Sequence, residues 1–109
     1  MKGVPGKPSE AEFLAQVIQL ARLRGWLVAH FRPALTRGGR WRTAVQGDGA
    51  GFPDLVMVRA GRMVVAELKV GKNTTSVEQD RWLERIAATG ATAAVWYPRD
   101  WPRIEEVLA

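Results

Sequence analysis

The chain has 109 residues, of which 47% are apolar, and this is enough for one domain with a hydrophobic core. Because it contains no cysteine, disulfides, thiolate zinc sites and cysteine nucleophiles are excluded. No segment has the apolar length of a signal peptide or a membrane span, so we expect a cytoplasmic protein with no membrane partner.

The 16 basic residues outnumber the 11 acidic ones, which gives a net charge of +5, and they are unevenly distributed. No acidic residue lies between Glu12 and Asp48, whereas this stretch contains Arg22, Arg24, Arg32, Arg37, Arg40 and Arg42. The planar guanidinium group of arginine suits the oxygens of phosphate. The distribution therefore predicts a polyanionic partner, and a solvated basic face is the alternative.

The N-terminal region predicts an arm followed by a helix. Residues 1–8 are basic and rich in Pro and Gly, so we expect a flexible arm in front of a single domain at 9–109. From Ser9 to about Arg24 the apolar spacing predicts an amphipathic helix with Ser9 as its N-cap, and Gly25 ends it.

The middle of the chain predicts three strands and one long loop. Residues 26–31 are apolar enough for a strand, whereas 34–52 are rich in Gly and Arg and predict a long mobile loop. The segments 54–59 and 63–70 predict an antiparallel hairpin around a turn at 60–62. Their nearly continuous apolar character predicts central strands that are covered on both faces.

The C-terminal third predicts a helix at 76–89, a strand at 92–97 and a short helix that Asp100 caps. The predicted order is therefore α-β-β-β-α-β with a short C-terminal helix. This order indicates an α/β fold in which helices flank a small mixed sheet.

The predicted hairpin brings three charged residues to one end of the sheet. Glu67 and Lys69 are two residues apart on a strand and share a face. Pairing residue 59 with 63 would set Asp54 almost opposite Leu68, between the other two. Two carboxylates suit Mg²⁺, which usually keeps several waters, and the Leu68 carbonyl is a possible further ligand. Lys69 would then orient a water or offset negative charge during phosphodiester hydrolysis. A structural Glu67–Lys69 salt bridge is the alternative.

The motifs around these residues resemble those of a known family. Pro53-Asp54 followed by Glu67-Leu68-Lys69 resembles the P-D…(D/E)-x-K signature of restriction-endonuclease-like nucleases. The chain is similar to the VRR-NUC (virus-type replication-repair nuclease) family, in particular its short stand-alone phage and bacterial members. The resemblance covers about residues 9–108, and the further motifs that carry it are the helix that begins at Ser9-Glu10, Gly25-Trp26, His30-Phe31-Arg32-Pro33, Gly51-Phe52, Gln79-x-x-Trp82 and Trp96-Tyr97-Pro98.

The resemblance implies a fold, a cofactor and a substrate. It implies a restriction-endonuclease-like core, dependence on Mg²⁺ or Mn²⁺, and DNA cleavage. Its stand-alone members are similar to Holliday-junction resolvases, so branched DNA and a homodimer are the implied partners. The family usually adds an acidic residue from the first helix to the metal site, and Glu10 is favoured here over Glu12.

Further residues complete the expected site. Gln79 matches a family position beside the metal, but Ser76-x-x-Gln79 also predicts a capping box, and both interpretations stay open. The loop expected at 34–52 contains basic and aromatic residues, which predict contacts with DNA. Its arginines would bind backbone phosphates, and an unpaired base would stack on the indole of Trp41. The expected DNA-binding residues are Arg32, Arg37, Arg40, Trp41, Arg42 and Lys72. A non-catalytic nucleic-acid-binding module and a partner subunit of a phage replication or packaging complex are the competing hypotheses.

Overall fold

The computed structural model describes residues 7–31, 34–35, 41–42 and 47–109, with the backbone alone at 34–35 and 41–42. Its elements in chain order are α1 (Glu10–Leu23), β1 (Leu27–His30), β2 (Ala34–Leu35), β3 (Trp41–Arg42), β4 (Leu55–Arg59), β5 (Arg62–Leu68), α2 (Val77–Ala87), β6 (Thr92–Trp96) and α3 (Trp101–Val107). A 3-10 turn at Pro98–Asp100 precedes α3. No helix in these described ranges is long and apolar enough to cross a membrane.

Helix α1 begins at a reciprocal cap. The Ser9 hydroxyl accepts a hydrogen bond from the Glu12 amide, and the Glu12 carboxylate accepts one from the Ser9 amide. Phe13, Val17 and Ala21 follow at four-residue spacing, and all three are fully buried. The expected first helix is therefore confirmed.

The main sheet has four strands in the order β1-β4-β5-β6. β1 and β5 each pair with β4 in the antiparallel sense, and β6 pairs with β5 in the parallel sense. Helix α2 connects the two parallel strands, because such a pair needs a crossover. The structure is thus a compact α/β fold with a small mixed sheet and three helices, as the sequence predicts.

One face of the sheet, which we call the α1 face, carries the core. Side chains of β4, β5 and β6 on this face pack against α1 and α3 and form the core with them. The core residues that are fully or almost fully buried include Phe13, Leu55, Met57, Val64, Leu68, Trp96, Ile104 and Leu108. Burial of one such aliphatic or aromatic side chain contributes about 1.5–3 kcal/mol. This core is what fixes the hairpin and the C-terminal helix relative to each other.

The opposite face, which we call the α2 face, is covered only in part. On β5 the run Val64–Leu68 is buried on both faces. Toward β1 the same face remains open, because Leu27, Val58 and Met63 expose 78%, 40% and 45% of their surface. The prediction of two strands covered on both faces is therefore correct for most of β5 and wrong for β4.

Two further predictions need correction. Within the segment 34–52, which predicts a loop, β2 and β3 form a separate two-stranded antiparallel sheet. At the C-terminal helix, Asp100 makes no side-chain cap. Its carboxylate instead accepts a hydrogen bond from the Tyr97 amide at 2.8 Å, inside the preceding 3-10 turn.

The C-terminal end of α3 is bound by three arginines and a tryptophan. Arg24, Arg59 and Arg62 donate to the backbone oxygens of Glu105, Ala109 and Val107, and the Trp26 indole donates to that of Leu108. The guanidinium groups of Arg59 and Arg62 also lie 4.7 and 5.1 Å from the Trp26 ring centroid. Cations at a helix C-terminus satisfy carbonyls that have no partner within the helix.

Candidate metal and catalytic site

The segment that leads into β4 is packed against the first turns of α2. Gly51 has φ +82°, and a Cβ at this position would lie 2.6–2.8 Å from backbone and Cβ atoms of Glu78 and Gln79. Only glycine avoids this overlap. The Phe52 ring meets Trp82 edge-on at a centroid distance of 5.0 Å, and the Trp82 indole donates to the Asp48 carbonyl. These contacts fix the position of Pro53-Asp54 relative to α2.

The hairpin register places Asp54 on the same face as Glu67. Ala60 and Gly61 both have positive φ, which is the geometry of a two-residue hairpin turn. Leu55 therefore pairs with Ala66, and continuing this register sets Asp54 opposite Glu67. The predicted register, with Asp54 opposite Leu68, is wrong by one residue. Because directly paired residues share a face, only the observed register puts both carboxylates on the α2 face.

Asp54 is held at the end of β5 by backbone contacts. Its Oδ2 accepts a hydrogen bond from the Leu68 amide at 2.9 Å, and its carbonyl accepts one from the Phe31 amide. The side chain of Leu68 is buried in the core on the α1 face. The hydrogen bond therefore anchors the Asp54 carboxylate to the backbone of a strand that the core holds rigid.

Glu67 is the one charged residue that is buried within the described ranges, with 3% of its surface exposed. Its Oε2 accepts a hydrogen bond from Gln79 Nε2 at 2.8 Å and lies 3.4 Å from Lys69 Nζ. Its Oε1 is buried and has no hydrogen-bond partner in the described part of the chain. Burial and the adjacent Asp54 raise the pKa of Glu67 to about 7, and Lys69 offsets only part of this effect.

Gln79 fulfils both of the roles that the sequence leaves open. Its Oε1 accepts a hydrogen bond from the Ser76 amide, and the Ser76 hydroxyl accepts one from the Gln79 amide, which completes a capping box. Because Oε1 must face that N–H, Nε2 must face the other way, and it donates to Glu67. The helix cap therefore sets the orientation of the amide that contacts the buried carboxylate.

A divalent cation fits this arrangement of donors. Two carboxylates and the backbone of Leu68 converge at the end of β5, and a buried oxygen of Glu67 has no partner in the described ranges. An unpaired buried oxygen costs about 1–3 kcal/mol or more when charged, which a cation or a proton relieves. Among the described residues no group of three or more His, Cys, Asp or Glu could hold a metal, but Mg²⁺ needs only one or two carboxylates.

Comparison with models of protein families, with curated proteins and with solved structures gives no match to this chain. The assignment of the site therefore depends on its own geometry and on the motif resemblance.

The remaining expected site residues lie outside the group of Asp54, Glu67, Lys69 and Gln79. Glu10 is exposed in the first turn of α1, and no third acidic residue joins the two carboxylates in the described ranges. Lys72 is exposed in the turn between β5 and α2. Arg32, Arg37 and Arg40 lie outside the described residues, and only the backbone is described at Trp41 and Arg42.

Sequence analysis missed how the fold uses several polar residues. Arg24 belongs to the arginine-rich stretch, but it donates a hydrogen bond to the Glu105 carbonyl and therefore contributes to the position of α3. Tyr97 is extended at the end of β6, and its hydroxyl donates to the Asn73 carbonyl. The position of Tyr97 directly after an apolar strand was the available signal, since a polar tip at the carboxyl end of a parallel strand lies where ligands bind.

Proposed function

We propose that this chain is a divalent-metal-dependent DNA endonuclease with a restriction-endonuclease-like core. The observation that carries the proposal is the buried Glu67 Oε1, which has no hydrogen-bond partner among the described residues and lies beside a second carboxylate and a lysine on one face. A purely structural salt bridge would not leave one oxygen of a buried carboxylate without a donor. The motif resemblance supports the same conclusion.

Each residue of the site has a defined part in this proposal. Asp54 and Glu67 would hold Mg²⁺ or Mn²⁺, with the Leu68 carbonyl as a further oxygen, whereas the expected Glu10 lies outside this group. When bound, such an ion polarises a phosphoryl oxygen and acidifies a water. Lys69 orients the attacking water or offsets the negative charge that develops on the phosphate. Gln79 holds Glu67 Oε2, which keeps the carboxylate in a fixed orientation toward the cation.

The substrate and the assembly belong to the same proposal. The excess of basic residues favours a polyanion such as DNA. The resemblance favours branched DNA, and symmetric paired nicks in a four-way junction need two sites and therefore a homodimer. The resemblance to phage and bacterial proteins favours the cytoplasm of a bacterial or phage-infected host cell as the localisation. A non-catalytic module that only binds nucleic acid is the second candidate, and the experiment below separates the two.

The test is a cleavage assay on linear, nicked, flapped and four-way-junction DNA, with EDTA, Mg²⁺ or Mn²⁺. The wild type should cleave only with metal, and Lys69→Ala should lower the rate by at least about 100-fold, because it removes transition-state stabilisation. Lys7→Ala removes the same charge from an exposed position and should leave the rate nearly unchanged. Salt-sensitive DNA binding without cleavage in either metal would favour the binding module.

A further inference from the structure

The parallel pair β5–β6 brings a second set of polar residues to the edge of the sheet that carries the site. Leu68 pairs with Trp96, and the Lys69 amide donates to the Trp96 carbonyl at 2.9 Å. Both strands therefore end at the edge where Glu67 and Asp54 lie. In sheets of this kind ligands bind at the carboxyl ends of parallel strands.

Tyr97 lies on the same face as Glu67 and Lys69. Its backbone is extended, with φ −113° and ψ 160°, so the alternation of side chains continues one residue beyond β6. Since Glu67 pairs with Val95, the continued register sets Tyr97 opposite Lys69 on the α2 face. The Tyr97 hydroxyl donates to the Asn73 carbonyl at 2.6 Å, which joins the end of β6 to the loop after β5.

This arrangement positions a guanidinium group near the site. The Arg99 Cζ lies 4.1 Å from the centroid of the Tyr97 ring, although Arg99 itself is exposed. Stacking on an aromatic ring restricts the arginine and so lowers the entropy that it loses when it binds an anion. Lys72, next to Asn73 in the tethered loop, is a second exposed cation of the same edge.

Neither of these cations is neutralised by the described part of the chain. Lys72 and Arg99 make no ion pair with another described residue. The carboxylate next to Arg99 in sequence bonds elsewhere, because Asp100 accepts from the Tyr97 amide. Their positive charge is therefore available to a ligand.

We propose that Arg99, stacked on Tyr97, forms with Lys72 a binding site for a backbone phosphate of nucleic acid. This inference rests on the proposed function and deepens it, because the phosphate is one that flanks the phosphodiester at Asp54, Glu67 and Lys69. Arg99 contacts the phosphate oxygens, whereas Tyr97 is a positioning residue. Contacts of this kind fix the register of a nucleic acid strand without reading its sequence.

The experiment measures binding of a short linear DNA duplex in EDTA over a series of salt concentrations. Each phosphate contact contributes about 0.9 to the slope of log K against log salt concentration. Arg99→Ala should bind several-fold more weakly and lose about 0.9 of the slope. Arg99→Lys keeps the charge but not the planar stack, and should keep the wild-type slope with an intermediate affinity.

The matched control is Arg22→Ala. Arg22 is exposed near the C-terminal end of α1, and the chain passes from there into the start of β1, at the end of the sheet away from the site. This variant loses the same charge and should keep the wild-type slope. Thermal unfolding of each variant verifies that it folds, so a lost slope in a folded Arg99→Ala protein reports the contact itself.

The outcomes separate this inference from the proposed function. A wild-type slope in Arg99→Ala, or an equal loss in Arg22→Ala, would overturn the phosphate site, whether or not the protein cleaves DNA. A smaller salt slope in Arg99→Ala alone, in a protein that cleaves no DNA with Mg²⁺ or Mn²⁺, would support the phosphate site. The same result would contradict the proposed nuclease activity. Absence of any salt-sensitive binding by the wild type would overturn both.

Discussion

At the scale of single residues, the environment of Glu67 lowers the stability of the fold and is typical of a functional site. It is almost completely buried, one of its oxygens has no partner in the described part of the chain, and Asp54 lies beside it. Such a group destabilises the folded state when it is ionised and no cation is bound. Residues at functional sites often keep such unfavourable local arrangements, because the bound ligand relieves them.

The first prediction concerns the dependence of stability on pH. The pKa of Glu67 rises from its ordinary value of 4.5 to about 7 on folding. The folded state therefore binds the extra proton, and without metal its free energy of unfolding should fall by about 3 kcal/mol as the pH rises from roughly 4.5 to 7. Glu67→Gln should abolish this fall and be the more stable protein at pH 8, as measured by urea unfolding.

The control for this prediction is Glu84→Gln on the exposed surface of α2. It should keep the pH dependence of the wild type. Addition of Mg²⁺ at pH 8 should raise the unfolding temperature of the wild type but not of Glu67→Gln, since only a ligand of the folded state stabilises it. A wild-type pH profile in Glu67→Gln would contradict the assignment.

The second prediction separates the two contacts of Gln79. Gln79→Glu keeps an acceptor for the Ser76 amide but sets a second carboxylate against Glu67. Without metal it should be less stable than the wild type at pH 8 and close to it at pH 5, where Glu67 is protonated. Ser76→Ala removes only the hydroxyl cap, and its free energy of unfolding should be lower than that of the wild type by about 1 kcal/mol at both pH values. Urea unfolding at the two pH values tests this, and a pH-independent loss in Gln79→Glu would refute it.

At the scale of elements, the site depends on how the segment 47–53 docks onto α2. Gly51 makes the close approach to the helix, and Phe52 packs between Phe31 and Trp82 with centroid distances of 5.4 and 5.0 Å. The same first turn of α2 carries Gln79. The contacts that place Asp54 and those that orient Glu67 therefore belong to one packed unit.

The third prediction compares two glycines. Gly47 and Gly51 both have positive φ, but at Gly47 a Cβ would meet no atom of the described residues within 4 Å. Gly47→Ala should therefore lower the free energy of unfolding by only about 1 kcal/mol, through backbone strain at the positive φ. Gly51→Ala should lose clearly more, and Mg²⁺ should stabilise it less than the wild type, because Asp54 shifts. Urea unfolding with and without Mg²⁺ measures both effects, and equal losses in the two variants would argue against the docking.

At the scale of the whole molecule, five of the basic residues form two groups with different roles. Arg24, Arg59 and Arg62 bind backbone oxygens at the C-terminal end of α3 and so contribute to folding. Lys72 and Arg99 lie at the edge of the sheet that carries the site and have no ionic partner among the described residues. Net charge alone cannot distinguish these groups, since every residue in them contributes one positive charge.

The fourth prediction follows from this division. Arg59→Ala removes the stacking on Trp26 and two hydrogen bonds, to the oxygens of Arg24 and Ala109. It should lower the free energy of unfolding by about 1–3 kcal/mol and leave the salt dependence of DNA binding unchanged. Arg103→Ala, which breaks only an exposed ion pair with Glu106, should change stability by less than about 1 kcal/mol. A change in the salt slope of Arg59→Ala would place Arg59 in the DNA interface instead.

The elements were predictable where a local pattern determines them. The Ser9 and Ser76 caps, the apolar spacing of α1 and the turn before β5 are all visible in sequence, and each element that the sequence predicts forms within a few residues of its predicted ends. The exact pairing at Ala60-Gly61 was not predictable, because two-residue and three-residue turns fit the same letters. This difference of one residue in the turn decides whether the Asp54 side chain lies on the face of Glu67 or on the face of the core.

The order of the main elements, the caps of α1 and α2, and the presence of Asp54, Glu67 and Lys69 near one hairpin end are readable in the sequence, because they depend on short-range periodicity and spacing. Two features are visible only in the folded chain: Glu67 is buried with an oxygen that has no partner among the described residues, and Gln79, which caps α2, also donates to Glu67. These features join elements that are distant in sequence. They depend on packing between elements, which no local pattern encodes.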